Sequence, residues 1–152
     1  MEKATFAAGC FWGVEHELRK MQGVEDAVSG YTGGSLDNPT YQDVCTDQTG
    51  HAEAVEVTYD PEQVSYGELL EAFWKLHDPT TVNRQGPDVG HQYRSAVFAH
   101  SPEQQAAAEA SKDKAQERFA NAIVTEVEPA EKFWPAEDYH QRYFEKRGIG
   151  GH

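Results

Sequence analysis

The chain has 152 residues, with 26 acidic against 13 basic side chains and a formal net charge of −13 at pH 7. At that length one domain over residues 1–152 is expected, burying roughly 68–70% of its unfolded surface, enough for a core without disulfide or metal staples. The acidic surplus repels phosphates, which excludes a reader of duplex backbones or a binder of anionic membranes as the main function.

Residues 3–8 alternate weakly and end in Ala-Ala-Gly, after which Phe11, Val14, Leu18 and Met21 recur at helical spacing with Gly23 just beyond. Strand, tight turn and helix are the expectation. Residues 24–31 form a second strand, followed by a long Gly-, Asn- and Pro-rich loop over 32–50; loops of that length are usually functional or disordered. Val55, Val57 and Tyr59 alternate with Ala54, Glu56 and Thr58 up to Asp60-Pro61, the period-2 pattern of a half-buried strand. Glu53 falls in phase with its apolar set.

Ser65 and Glu68 form a capping-box signature for a second helix whose face carries Leu69, Leu70, Phe73, Trp74 and His77, and Asp78-Pro79 ends it. A polar loop over 80–93 precedes a short strand over 94–99. Ser101, Pro102 and Gln104 open a third, alanine-rich helix running to about Phe119. Residues 123–128 read as a strand and 136–146 as a terminal helix before a Gly-rich end. The order of elements is that of an α+β fold, a two-layer α/β sandwich with a ferredoxin-like βαββαβ core. Its two long loops are expected to converge on the end of the first strand, where Cys10 lies.

Cys10 and Cys45 are too few and too far apart for a disulfide scaffold, and they form no C-x-x-C pair. A reducing, cytoplasmic setting is the expectation. The N-terminus lacks a basic leader with a long apolar stretch, and no apolar run approaches the ~20 residues of a membrane span. The acidic excess fits a salty cytoplasm and an ordinary one equally.

Gly9-Cys10-Phe11-Trp12-Gly13 sits where a strand gives way to a helix, so the Cys10 sulfur is expected near free helix N–H groups, which favour the thiolate. A buried structural cysteine among core aromatics fits the same pattern. Glu53, desolvated at a strand start, is expected to have a raised pKa and to be able to donate a proton; a frayed strand end would leave it in water. Tyr31, Tyr41 and Tyr93 stand in or beside the long loops, as hydroxyl donors or as packing residues.

Six blocks in order resemble the A-type peptide methionine sulfoxide reductases: residues 9–13, Gly30-Tyr31-Thr32-Gly33-Gly34, Asn38-Pro39-Thr40-Tyr41, Gly50-His51-Ala52-Glu53, His77-Asp78-Pro79 and Gln92-Tyr93-Arg94-Ser95. The resemblance runs from about residue 6 to residue 145. It implies a two-layer α/β sandwich and thiol-dependent reduction of methionine S-sulfoxide, free or in proteins, as repair under oxidative stress. In that likeness Cys10 matches the nucleophile that becomes a sulfenic acid, and Glu53 the acid that protonates the sulfoxide oxygen. Tyr41 and Tyr93 match hydroxyls that hold the oxygen, Phe11 and Trp12 the wall around the S-methyl group, and Asp88 a supporting loop carboxylate.

The resemblance implies no cofactor beyond an external thiol: thioredoxin, glutaredoxin, a glutathione-linked reductant or dithiothreitol. A monomer is expected, with oxidised proteins or free methionine sulfoxide as partners. Many members resolve the sulfenic acid with cysteines in a Gly-rich tail, and residues 147–152 hold none, which leaves Cys45 as the internal candidate for a resolving thiol. His91 stands where threonine is more usual in the family. Asp138, His140 and Tyr143 also match a family segment and are assigned packing roles.

Three other readings compete. Metal binding by the cysteines and the seven histidines lacks zinc-finger or H-E-x-x-H spacing. A cysteine hydrolase would pair Cys10 with His51 or His91. A peptide-binding module would use Phe11, Trp12, Tyr41 and Tyr93 as an aromatic pocket and would not need the thiol.

Overall fold

A computed structural model describes residues 1–46, 49–85 and 88–141, with the side chain of Tyr139 excepted. The chain opens with strand β1 (Glu2–Ala8), helix α1 (Phe11–Arg19) and strand β2 (Val24–Thr32). A short helix α2 (Tyr41–Cys45) interrupts the long loop before strand β3 (Ala52–Tyr59) and helix α3 (Tyr66–Leu76). Strands β4 (Arg84–Gln85) and β5 (Asp88–Val89) make a small antiparallel ribbon inside the second loop. Strand β6 (Ser95–Ala99), helix α4 (Pro102–Ala115), strand β7 (Glu126–Pro129) and strand β8 (Trp134–Pro135) complete the order.

Six strands form one sheet in the order β7-β6-β1-β3-β2-β8. Its central four, β6-β1-β3-β2, are antiparallel neighbours in the ferredoxin-like arrangement. β7 is added parallel to β6 at one edge, and β8 antiparallel to β2 at the other. The apolar stripes of three helices fill the main core with Phe6, Val55 and Val57 of the sheet: Phe11, Val14 and Leu18 from α1, Leu69, Phe73 and Trp74 from α3, and Ala108 and Ala115 from α4. On the other face Ala7, Ala54, Ala96 and Phe98 are covered by Ala130 and Phe133, so β1 is buried on both sides and alternates only weakly.

Some boundaries differ from those the sequence suggests, for local reasons. α2 forms because Thr40 and Asp43 make a reciprocal capping box. The third helix leaves α geometry at Ala115 and continues as a 3₁₀ turn over Gln116–Arg118, where the Gln116 side chain holds the returning chain at Asn121 and Ile123. Residues 123–125 stay out of the sheet because the Val124 N–H donates to the Pro79 carbonyl, and pairing begins only at Glu126. Of the expected terminal helix, the described part is a 3₁₀ turn over Asp138–His140; the rest, with Tyr143 and the Gly-rich end, lies outside the described residues.

Register places the site. Ala8 at the end of β1 pairs with Ser95 at the start of β6, and Phe6 pairs with Val55 two residues into β3 from Glu53. Tyr31, near the end of β2, pairs with Glu53 itself. One end of the sheet therefore gathers the turn after β1, the start of β3 and the exits of both long loops.

Candidate active site

Gly9 makes the turn from β1 to α1 with φ of +99°, and a Cβ there would lie 2.8 Å from the Gln85 side chain, so the turn requires glycine and seats the β4–β5 ribbon against it. Cys10 follows as the N-cap residue of α1, half-buried, and Phe11 and Trp12 fill the first turn. The Phe11 N–H donates to Glu53 Oε1 at 3.2 Å, which ties the helix start to β3. Glu53 is 1% exposed, and its Oε2 is buried without a hydrogen-bond partner among the described residues.

The site's electrostatics follow from that burial. Desolvation pushes the Glu53 carboxyl up to about 8; the Phe11 N–H opposes the rise and Asp88 adds to it. At neutral pH Glu53 is therefore protonated. Cys10 departs from the expectation for a helix start. Its thiol is pushed up to about 11, because burial, with Glu53 and Asp88 nearby, outweighs the lowering by the Trp12 and Gly13 N–H groups. The thiol, not the thiolate, is the resting form. Burial raises Tyr41 and Tyr93 as well, Tyr93 to about 12 with Glu53 and Asp88 contributing, so both phenols keep their O–H.

These mutual influences place Cys10, Glu53, Tyr41, Tyr93 and Asp88 in one electrostatic neighbourhood, reached from the start of α1, β3, α2, the 3₁₀ turn His91–Tyr93 and β5. The two long loops do converge. Phe11, fully buried, and Trp12, half-buried, face the Tyr41 ring at 6.4 and 6.5 Å between centroids, an aromatic cluster around Tyr41. Cys45 is exposed at the end of α2, and its proximity adds to the rise of the Tyr41 phenol. Tyr31 is fully buried in the core, with its hydroxyl donating to Glu137.

Two residues of this neighbourhood carry no site role in the sequence reading. Glu137 accepts the Tyr31 hydroxyl and the Tyr41 N–H, each at 3.0 Å, and His140 Nδ1 accepts the Trp12 indole N–H at 2.9 Å. The His140 match to a family segment was the available signal, and a packing role understates it. His51 is spent elsewhere: Nδ1 accepts the Gly34 N–H at 3.0 Å and Nε2 donates to the Leu36 carbonyl at 2.7 Å, so it pins the loop and is not free to serve as a base for Cys10. Among the described residues no group of three or more His, Cys, Asp or Glu is placed to hold a metal ion. No helix among them is long and apolar enough to cross a membrane.

Comparison with known proteins separates the remaining readings. The family model described as peptide methionine sulfoxide reductase matches residues 2–151. Peptide methionine sulfoxide reductase MsrA of Acidobacterium capsulatum is 62% identical over 151 residues, 98% of this chain and 97% of the relative. The crystal structure of reduced Mxr1 from Saccharomyces cerevisiae superposes with a TM-score of 0.93 at 39% identity, covering 98% of this chain and 87% of that one. The structure of Mxr1 in complex with Trx2 matches with a TM-score of 0.68 at 32% identity over 93% of this chain and 84% of that one. With its thiol, buried acid and hydroxyl donors gathered at one end of the sheet, the chain belongs to the peptide methionine sulfoxide reductase family and is a thiol-dependent methionine sulfoxide reductase.

Proposed function

We propose that Cys10 is the nucleophile of this reductase and Glu53 its acid, acting on the S epimer of methionine sulfoxide, free or within oxidised proteins. The observation that carries the assignment is the Glu53 carboxyl. It stays protonated up to about pH 8, is held through Oε1 by the Phe11 N–H, has no hydrogen-bond partner for Oε2 among the described residues, and acts electrostatically on Cys10. A proton donor in that position turns a sulfoxide oxygen into a hydroxyl as sulfur attacks sulfur.

In the reaction Cys10 Sγ attacks the sulfoxide sulfur while Glu53 passes its proton to the oxygen and takes up the thiol proton. The hydroxyl then passes from the substrate sulfur to Sγ as the S–O bond and the transient Sγ–S bond break; the Sγ–S electron pair goes to the substrate sulfur, so methionine leaves as the thioether, reduced by two electrons, and Cys10, oxidised by two, is left as the sulfenic acid. Protons balance, since Glu53 begins and ends neutral. Tyr41 and Tyr93 donate hydrogen bonds to the oxygen, Asp88 supports the polar side, and Phe11 and Trp12 enclose the S-methyl group.

An external thiol then converts the sulfenic acid to a mixed disulfide and water, and a second thiol frees Cys10. The relative solved with Trx2 favours a thioredoxin-like donor; glutaredoxin, a glutathione-linked reductant and dithiothreitol have the same chemistry. Cys45 is the internal candidate for a resolving thiol. The enzyme acts as a single-domain, cytoplasmic monomer that repairs methionine under oxidative stress, with no metal or prosthetic group.

The test is turnover of N-acetyl methionine S-sulfoxide in excess dithiothreitol. Cys10→Ser loses turnover, and Glu53→Gln lowers kcat/KM by about 10²–10⁴-fold. His51→Ala is the less damaged variant. An inactive His51→Ala beside a normal Glu53→Gln reverses the assignment toward a cysteine–histidine pair.

A further inference from the structure

The chain after β8 runs back across the site end of β2. Ala136 N–H donates to the Ser29 carbonyl at 2.8 Å, and the Gln141 side chain accepts the Ser29 N–H at 2.9 Å while donating to the Ser29 and Ala136 carbonyls. β8 is itself paired with β2 at Gly30 and Tyr31. This strap is fixed at both ends on an interior strand, and between the ends it presents Glu137 and His140 to the site. His140 is 1% exposed. Its ring centroid lies 4.6 Å from Tyr41, 5.2 Å from Phe11 and 5.6 Å from Trp12.

Trp12 is only half-buried, and its indole N–H is a donor with a fixed direction. The acceptor it meets, Nδ1 of His140, fixes the rotation of the indole about its own helix and requires the imidazole to carry its proton on Nε2. The wall proposed to enclose the substrate S-methyl group is thus held from a point 128 residues away in the chain, on a segment anchored to the sheet rather than to α1. The same imidazole packs against Tyr41, which supplies an oxygen-binding hydroxyl. The strap thus touches the wall through His140 and the residue bearing the hydroxyl through both His140 and Glu137.

We infer that His140 is a positioning residue that acts through Trp12: it sets the width of the S-alkyl pocket and hence the preference for a methyl over a larger alkyl sulfoxide. The inference rests on the proposed function, in which Trp12 lines that pocket. Loss of the acceptor removes the directional restraint that His140 places on the indole, and the pocket widens. Binding of methionine sulfoxide weakens, ethionine sulfoxide is discriminated against less, and the chemical step at Cys10 and Glu53, which His140 does not touch, keeps its rate.

The experiment compares wild type, His140→Leu, His140→Asn, Trp12→Phe and the double variant Trp12→Phe/His140→Leu on the N-acetyl S-sulfoxides of methionine and ethionine. His140→Leu keeps bulk without an acceptor; His140→Asn keeps an acceptor close to the Nδ1 position. Loss of one hydrogen bond predicts that His140→Leu raises KM for methionine sulfoxide about three- to tenfold with kcat nearly unchanged, and narrows the methionine-to-ethionine ratio of kcat/KM. His140→Asn restores both values. In the Trp12→Phe background, which has no indole donor, adding His140→Leu changes KM less than about twofold. An equal effect of His140→Leu in both backgrounds, or an unchanged alkyl ratio, overturns the inference. If His140→Leu does not fold, His140→Asn and Trp12→Phe decide: a methionine-to-ethionine ratio in Trp12→Phe equal to that of wild type overturns it. A wild type that reduces neither sulfoxide defeats the proposed function instead.

Discussion

The backbone N–H of Phe11 donates to Oε1 of Glu53 at 3.2 Å, joining the first turn of α1 to the start of β3 across 42 residues of sequence. That bond orients the carboxyl while burial keeps it protonated, so the acid is held on two rigid elements close to the Cys10 thiol.

The pH dependence of turnover follows directly. As the proposed acid, Glu53 donates only while protonated, and burial places its loss of the proton near pH 8. The rate of a single turnover with methionine sulfoxide should hold from pH 6 to 7 and fall as pH rises through about 8. Rapid-quench measurements across this range check it; a rate that climbs steadily to pH 9 points to thiolate formation as the only requirement.

Glu53 should also cost stability at high pH. Its folded pKa, about 8, lies above the ordinary 4.5, so its proton favours the folded state. This contribution is complete below about pH 4.5 and is lost as pH rises through about 8. Glu53→Gln removes the ionisation, and at pH 9 the variant should melt higher than wild type by up to about 10–20 °C, from at most about 5 kcal/mol at roughly 2–4 °C per kcal/mol. The advantage should vanish near pH 4, and an equal Tm difference at both pH values argues against a buried ionisable Glu53.

Cys10 should react slowly with alkylating agents. Its thiol, pushed to about 11 by burial, is half-buried, whereas Cys45 is exposed. With iodoacetamide at pH 7, peptide mass spectrometry should find Cys45 labelled first, and the Cys10 rate should rise with pH toward about 11. Because the Glu53 charge adds to the rise, Glu53→Gln should shift the Cys10 profile to lower pH. Prior labelling of Cys10 at pH 7 contradicts the order.

Glu137→Gln tests the other half of the strap. The carboxylate accepts from Tyr31 and from the Tyr41 N–H through separate oxygens, and an amide offers only one acceptor. Tyr41 at the start of α2 should loosen, with a loss of about 1–2 kcal/mol in urea denaturation and a KM raised about three- to tenfold. An unchanged denaturation midpoint with unchanged KM removes Glu137 from any role in placing Tyr41.

How much was legible beforehand divides along local and non-local lines. The phase of Glu53 with Val55 and Val57 was enough to bury it, and the glycine before Cys10 was enough to mark the turn, because both depend on residues close in sequence. The βαββαβ order carried the sheet arrangement, and antiparallel register brought the loops together. The charge state of Cys10 was not legible: local helix N–H groups argue for a thiolate, and the burial that overrides them comes from elements far along the chain. Helix α2 had its Thr40 and Asp43 signature inside a stretch dominated by Gly, Asn and Pro. The contacts of His140 with Trp12 and of Glu137 with Tyr41 join residues about a hundred positions apart or more, and no spacing rule reaches them.

The most direct test of the central claim, that Cys10 takes the oxygen from methionine sulfoxide, is the mass of the protein after exposure to the sulfoxide without reductant. Gain of one oxygen located on Cys10, or loss of two hydrogens with a Cys10–Cys45 link if Cys45 resolves the sulfenic acid, is the predicted result, together with one equivalent of methionine and no change in Cys10→Ser. An unchanged mass in wild type, or equal methionine release by Cys10→Ser, contradicts it.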